Sequence, residues 1–290
     1  EYIKTLPSRH IYVLAGPLKT GKSTLLTNLT NELRQRNRLV FNFDYKKAKS
    51  LHDVQGFTQL AIFEALKFFN NPSIYQSISP IDVENSFSVN TFLDSLEKLQ
   101  GITTPIIIIQ GVSQLQKVAP QMYEIGLSWF SRRNKYNDNI PVIFETRNSL
   151  FRNEFVPSFF WIIEIACKED PYKTLSKNLH AFSSSEIKKI KASIGFQGGP
   201  INNIFQEVKK SNNIDNAILK EMNHINKKVL KYRTNGTIIQ RLCDAKEKPI
   251  LIGKGDLDTI IPLLNKGLVY ITNEYKLKAS NHAVWKSLCT

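Results

Sequence analysis

The residues best placed by type and spacing to do chemistry are Gly16-Pro17-Leu18-Lys19-Thr20-Gly21-Lys22-Ser23, followed by Thr24. Two glycines with four residues between them, then Lys-Ser, is the spacing of a phosphate-binding loop. Successive backbone N–H groups of such a loop turn inward and cradle phosphate oxygens. Gly16 and Gly21 permit backbone angles and close approaches that a Cβ would block. Lys22 can reach the β- and γ-phosphates, and the Ser23 hydroxyl can ligate Mg²⁺. The expected ligands are ATP or ADP with Mg²⁺, held by residues 16–24.

Such sites place a second strand beside the loop, usually ending in Asp and often followed by Glu. The Asp orients Mg²⁺, and a carboxylate positions the attacking water. The strongest apolar strand here, Ile106-Ile107-Ile108-Ile109, ends instead in Gln110-Gly111. Gln110 can hydrogen-bond but adds no negative charge to a metal shell. Either hydrolysis is weak or a carboxylate comes from elsewhere, and Asp44 and Glu145 stand just past strand ends on the expected edge. Arg147 follows two residues later, where a guanidinium could bind phosphate oxygens in a bidentate manner. Lys22, Asp44, Glu145 and Arg147 are the catalytic candidates.

These residues need elements to position them. Ile11-Tyr12-Val13-Leu14-Ala15 reads as a buried strand before the loop, and a helix follows it to about Arg36. Further strands are expected at 38–44, 105–109, 141–144 and 159–166. Between them, helical patterns cover 52–69, 90–100 and 120–134, and 71–80 reads as a loop. Strands alternating with helices predict a parallel, doubly wound α/β sheet. After Lys168-Glu169-Asp170-Pro171 the pattern turns helical, over 186–194, 200–210 and 215–232, with capping residues at Ser183-Ser184-Ser185-Glu186. A helix at 237–244, a strand at 249–252, a helix at 256–265 and a hairpin turning at Asn273-Glu274 read as a winged helix. The expected division is 1–168, an α/β core; 169–232, a helical lid; and 233–290, a winged-helix-like part.

The order of motifs resembles the STAND class of P-loop ATPases, relatives of AAA+ proteins that include NB-ARC switches and archaeal ATPases. Gly16 to Ser23 matches their P-loop. Phe144-Glu145-Thr146-Arg147 is similar to their strand ending in Thr-Thr-Arg, whose Arg senses the nucleotide. Gly198-Gly199-Pro200 resembles their Gly-x-Pro motif, which implies that Pro200 packs near the base. Asn281-His282-Ala283-Val284 lies where some members carry a His that touches the β-phosphate. The family's acidic pair is absent at Gln110-Gly111. The resemblance implies an ATP-binding switch, with hydrolysis in question, inside a larger intracellular protein.

Composition bounds the rest. The chain has 290 residues and a net charge of +14, distributed unevenly. Residues 1–167 hold 18 Lys/Arg against 14 Asp/Glu, and residues 168–290 hold 21 against 11. Such asymmetry fits DNA, an acidic protein partner or an anionic membrane surface, although a solvated lysine-rich face has the same composition. A second reading is therefore a DNA-binding ATPase, with Lys227, Lys228, Lys231, Arg233 and Arg241 as the basic residues to watch. A third is a small-molecule kinase with Asp44 as base. No run approaches the ~20 apolar residues of a membrane helix. The three cysteines, Cys167, Cys243 and Cys289, fit neither a disulfide framework nor a zinc site, which favours a reducing, intracellular setting. The chain starts at Glu1 rather than Met and reads as a piece of something longer. Its oligomeric state is not legible.

Overall fold

The computed structural model describes residues 11–16, 21–99, 102–135, 140–147, 160–164, 182–194, 198–232, 236–253, 255–265, 268–272, 276–280 and 282–289. They divide into two compact units. One holds 11–15, 22–146 and 160–163; the other holds Gly16, Gly21, Arg147 and the residues from Glu164 onward.

In the first unit the elements run β1 (Ile11–Ala15), α1 (Lys22–Gln35), β2 (Val40–Asp44), α2 (Leu51–Phe69), α3 (Pro72–Ser77), α4 (Ser86–Lys98), β3 (Ile106–Gln110), α5 (Val112–Val118), α6 (Pro120–Lys135), β4 (Val142–Thr146) and β5 (Phe160–Glu164). The five strands form one sheet in the order β2-β3-β4-β1-β5. The pairs β1–β4, β2–β3 and β3–β4 are parallel. Strand β4 thus separates the strand that feeds the loop from the strand that ends in Gln110. In β3 all four isoleucines are buried. Each contributes about 1.5–3 kcal/mol relative to exposure.

Alternation along the strands gives the sheet two unlike faces. Val13, Phe41, Phe43, Ile107, Ile109 and Phe144 join a core with Val54, Leu96, Leu115 and Phe130 from the helices. The opposite face carries Asn42, Gln110 and Glu145, and α1 approaches it through Lys22 and Thr30. Polar side chains at sheet positions otherwise filled by isoleucine mark that face as the one with chemistry.

Local signals account for several helix starts. Ser50 and Asp53 form a capping box at α2. Residues 71–80, expected as a loop, contain α3, because Asn71 accepts from Ser73 N–H (3.1 Å) ahead of Pro72. Helix α4 starts earlier than its apolar pattern, at Ser86, because Asn85 Oδ1 accepts from the N–H groups of Phe87 and Ser88.

The second unit begins with α7 (Ser184–Ile194), α8 (Gly198–Ser211), α9 (Ile214–Val229) and a 3₁₀ turn, Leu230–Tyr232. The capping residues expected at its start are in place: Ser183 Oγ accepts from Glu186 N–H (3.3 Å), and Glu186 accepts from Ser183 N–H (2.7 Å). Then come α10 (Gly236–Asp244), β6 (Ile250–Leu251), α11 (Leu257–Asn265), β7 (Val269–Ile271), β8 (Lys276–Ala279) and α12 (His282–Cys289). The three short strands form an antiparallel sheet ordered β6-β8-β7. The expected turn at Asn273-Glu274 lies outside the described residues.

One expectation is overturned. Cys243 and Cys289, read as unpaired, form a disulfide with Cα atoms 5.4 Å apart. Their 46-residue separation hid the pairing. It arises where α12 lies along α10, with Trp285 Nε1–H donating to Leu242 O (3.2 Å). Cys167 lies outside the described residues. Among the described residues no helix is long and apolar enough to cross a membrane.

Candidate functional site

The register lines up the carboxyl ends of the strands. Asp44 pairs with Gln110, Gln110 with Glu145, and Glu145 with Leu14, one residue before β1 ends. Ligands of open α/β sheets bind at this edge. The start of α1 reaches the same edge with Lys22 and Ser23. Gly21 ahead of it has φ +87°, a left-handed conformation that favours glycine. Thr24 is exposed on the first turn of α1, and Pro17, Leu18, Lys19 and Thr20 lie outside the described residues.

Lys22 is only 4 % exposed, and its ammonium lies 3.6 Å from Glu145 Oε1. The other Glu145 oxygen accepts from Gly111 N–H at 2.9 Å. Glu145 is therefore a buried carboxylate with both oxygens engaged, one toward the loop lysine. Removing one member of a buried pair strands the other charge, so the two residues depend on each other. Next to them Ser113 and Thr146 share a hydroxyl–hydroxyl bond of 3.3 Å.

A second cation stands at the site that sequence reasoning missed. Lys46 Nζ donates to Ser23 Oγ at 3.0 Å and to Gln110 Oε1 at 2.7 Å, and pairs with Asp44 Oδ2 at 3.0 Å. The three acceptors match the three protons of an ammonium. Gln110 is oriented from behind: its amide donates to Asn42 Oδ1 (2.8 Å), Asn42 to Thr30 Oγ1 (3.2 Å), and Thr30 to Leu26 O (2.8 Å). This chain fixes which end of the Gln110 amide faces Lys46.

The backbone after β2 explains how Lys46 gets there. Tyr45 N–H donates to Gln110 O (2.9 Å), carrying the strand pairing one residue further. The Tyr45 side chain is buried, bonded to Thr58 Oγ1 (2.8 Å) and stacked on Phe43. Burial pushes its hydroxyl pKa well up, so it stays a neutral anchor. Asp44 Oδ1 then accepts from Lys46 N–H (3.1 Å), closing a tight turn. Gly111, with φ +74°, lets that turn pass: a Cβ there would sit 2.6 Å from Lys46 N. The only sequence signal was a lysine two residues past a strand-end Asp.

Arg147 follows β4, half-buried, and belongs with Gly16, Gly21 and Pro200 to the second unit. Pro200 is buried in the first turn of α8. His282 opens α12 and pairs through Nδ1 with Glu247. Of the basic residues singled out for DNA, Arg241 is committed within the fold, donating to Asp256 (2.8 Å) and to Leu251 O. Lys227 and Lys228 are exposed on α9. Arg233 and the Lys231 side chain lie outside what is described.

No protein-family model and no curated protein matches the chain. Among solved structures, it is similar to the Walker-type ATPase of Pyrococcus abyssi, with a TM-score of 0.65 and 14 % identity over 97 % of this chain and 91 % of that one. A DNA replication initiation factor gives a looser likeness: TM-score 0.46 and 14 % identity over 89 % of this chain and 71 % of that one. The first likeness is one of fold. Together with the sheet order and the Lys22-Ser23 start of α1 at the carboxyl edge, it defines the chain as an α/β protein of the P-loop NTPase fold.

Proposed function

We propose that this chain is a nucleoside triphosphate-binding module of the STAND/AAA+-like ATPase kind, acting as a nucleotide-dependent switch. The observation that carries the reading is the convergence of Lys22 and Ser23 with the strand ends Asp44, Gln110 and Glu145 on one edge. Residues 16–24 hold the phosphates, Lys22 supplies their main countercharge, and Arg147 and Pro200 keep the sensor and base-flanking roles that the family resemblance implies. Hydrolysis is slow on this reading, because the second strand offers the Gln110 amide where a carboxylate would serve. Bound nucleotide shifts the population of the helical part, 169–232, and of the winged-helix-like part, 233–290. The order helix, short strand, helix, hairpin over 236–279 supports the latter assignment.

The test is calorimetric titration of ATP and ADP, paired with a hydrolysis assay. Binding is expected in the wild type and loss of binding in Lys22→Ala, with Lys22→Arg as the charge-preserving control. Undiminished affinity in Lys22→Ala sinks the reading. The kinase alternative is disfavoured by Asp44, whose two oxygens are already engaged by the side chain and backbone of Lys46. The DNA-binding alternative keeps the basic second half as its support, and a salt-titrated DNA-binding assay decides it.

A further inference from the structure

Lys46 stands where the chemistry of a P-loop calls for a metal ion. The hydroxyl of Ser23 is the oxygen such a loop offers to Mg²⁺. The end of β3 is where a carboxylate would orient that ion. Here both positions face one ammonium, 3.0 Å from Ser23 Oγ and 2.7 Å from Gln110 Oε1. Mg²⁺ needs six oxygens at close to octahedral geometry and about 2.1 Å. An ammonium needs three acceptors at hydrogen-bond distance, and it has them. Water and phosphate supply most of those six oxygens in a nucleotide site, so what the protein must add is charge, and the end of β3 offers a neutral amide already bonded to a lysine.

The charges agree with that assignment. With Asp44 counted in both cases, a divalent cation beside an aspartate at the end of β3 sums to about zero, and the Lys46 ammonium beside neutral Gln110 sums to the same. The exchange of carboxylate for Gln110 and of metal for Lys46 therefore conserves the field at the site. Either change alone would not. Aspartate at 110 with Lys46 would lower the local charge by one, and glutamine with Mg²⁺ would leave the metal short of a charged ligand.

Lys46 is also held there by its own backbone. Its N–H is bonded to Asp44, the residue before it is anchored in the core, and Gly111 clears its path. Its side chain is about a fifth exposed, and its partner Asp44 is about half exposed, so phosphate can take the place of the Asp44 carboxylate without dismantling the bonds to Ser23 and Gln110.

We infer that Lys46 is a built-in cation of the nucleotide site, and that the chain binds the triphosphate tail without requiring Mg²⁺. The inference rests on the nucleotide-binding reading above and specifies its cofactor demand. In energetic terms the coupling between metal and nucleotide at this site is close to nil.

The test is titration of a fluorescent ATP analogue into the whole chain, in excess Mg²⁺ and in excess EDTA. The wild type is expected to show affinities within about threefold of each other, a coupling well under the usual allosteric range. Lys46→Met keeps the stem that packs by Gly111 and removes the charge. It is expected to lose roughly tenfold or more in EDTA. The double variant Lys46→Met/Gln110→Asp is expected to regain affinity in Mg²⁺ but not in EDTA. A wild type that loses roughly tenfold on chelation overturns the inference and leaves the nucleotide reading standing. A wild type that binds in neither buffer overturns the nucleotide reading, and this inference with it. The wild-type comparison needs no variant to fold.

Discussion

Replacing Gly111 by alanine puts a methyl group where the backbone of Lys46 already runs. The added Cβ would lie 2.6 Å from Lys46 N, 2.8 Å from its Cα and 2.9 Å from its Cγ. Two of those atoms are main chain and cannot rotate away. They are tied down on both sides, by Tyr45 N–H on Gln110 O and by Lys46 N–H on Asp44. The left-handed backbone at Gly111 (φ 74°, ψ 38°) costs an L-residue a further 1–2 kcal/mol or so. Overpacking of this severity costs about 1–3 kcal/mol. Together Gly111→Ala should destabilise the first unit by about 3 kcal/mol, or roughly 10 °C in Tm for a unit of this size.

Gly56→Ala is the internal control. Gly56 lies exposed in the middle of α2 with nothing within 4 Å of a built Cβ. The same substitution there should raise stability by about 1 kcal/mol, through helix propensity alone. Urea unfolding followed by tryptophan fluorescence, to which buried Trp129 contributes, measures both variants. Opposite signs are expected. A Gly111→Ala protein within about 0.5 kcal/mol of wild type, the usual range for a neutral surface change, would refute the close passage of Lys46 behind Gly111.

Two further outcomes follow from the second unit. Closing a 46-residue loop through Cys243–Cys289 should contribute about 4 kcal/mol on the chain-entropy model; reductant is expected to lower the urea midpoint of the wild type and to leave Cys243→Ser unmoved, and no reductant effect on the wild type would count against the disulfide. Asp256 is held below the usual carboxylate range, first by the N–H of Gly253 and then by Arg241. A lowered folded pKa means a contribution complete above the unfolded value, near pH 4, and lost as pH falls through the folded one. Asp256→Asn should therefore flatten the acid limb of a stability–pH profile below about pH 4, and an unchanged limb would remove the role assigned to this carboxylate.

The fold was legible because its signals are local and repeated. Four isoleucines in a row, an apolar run ahead of Gly16, and glycine-bounded Lys-Ser each point to a buried strand or a loop without help from the rest of the chain. All five strands lie where the apolar runs put them. What escaped is what depends on distant residues or on single caps. Helix α3 depends on Asn71 and Pro72, which read equally as loop residues. The disulfide depends on α10 and α12 meeting, and no spacing of three cysteines encodes that. Lys46 is the most instructive case. Along the chain a neutral Gln110 stands where charge is expected, and Asp44 and Glu145 are the carboxylates that could replace it. The structure engages both with lysines, Asp44 with Lys46 and Glu145 with Lys22. The missing negative charge at β3 is answered by a positive one from the turn after β2, 64 residues earlier in sequence. A lysine in a surface turn carries no pattern that separates it from any other. Its meaning comes from the register that sets Asp44 beside Gln110, and that register is a property of the folded sheet.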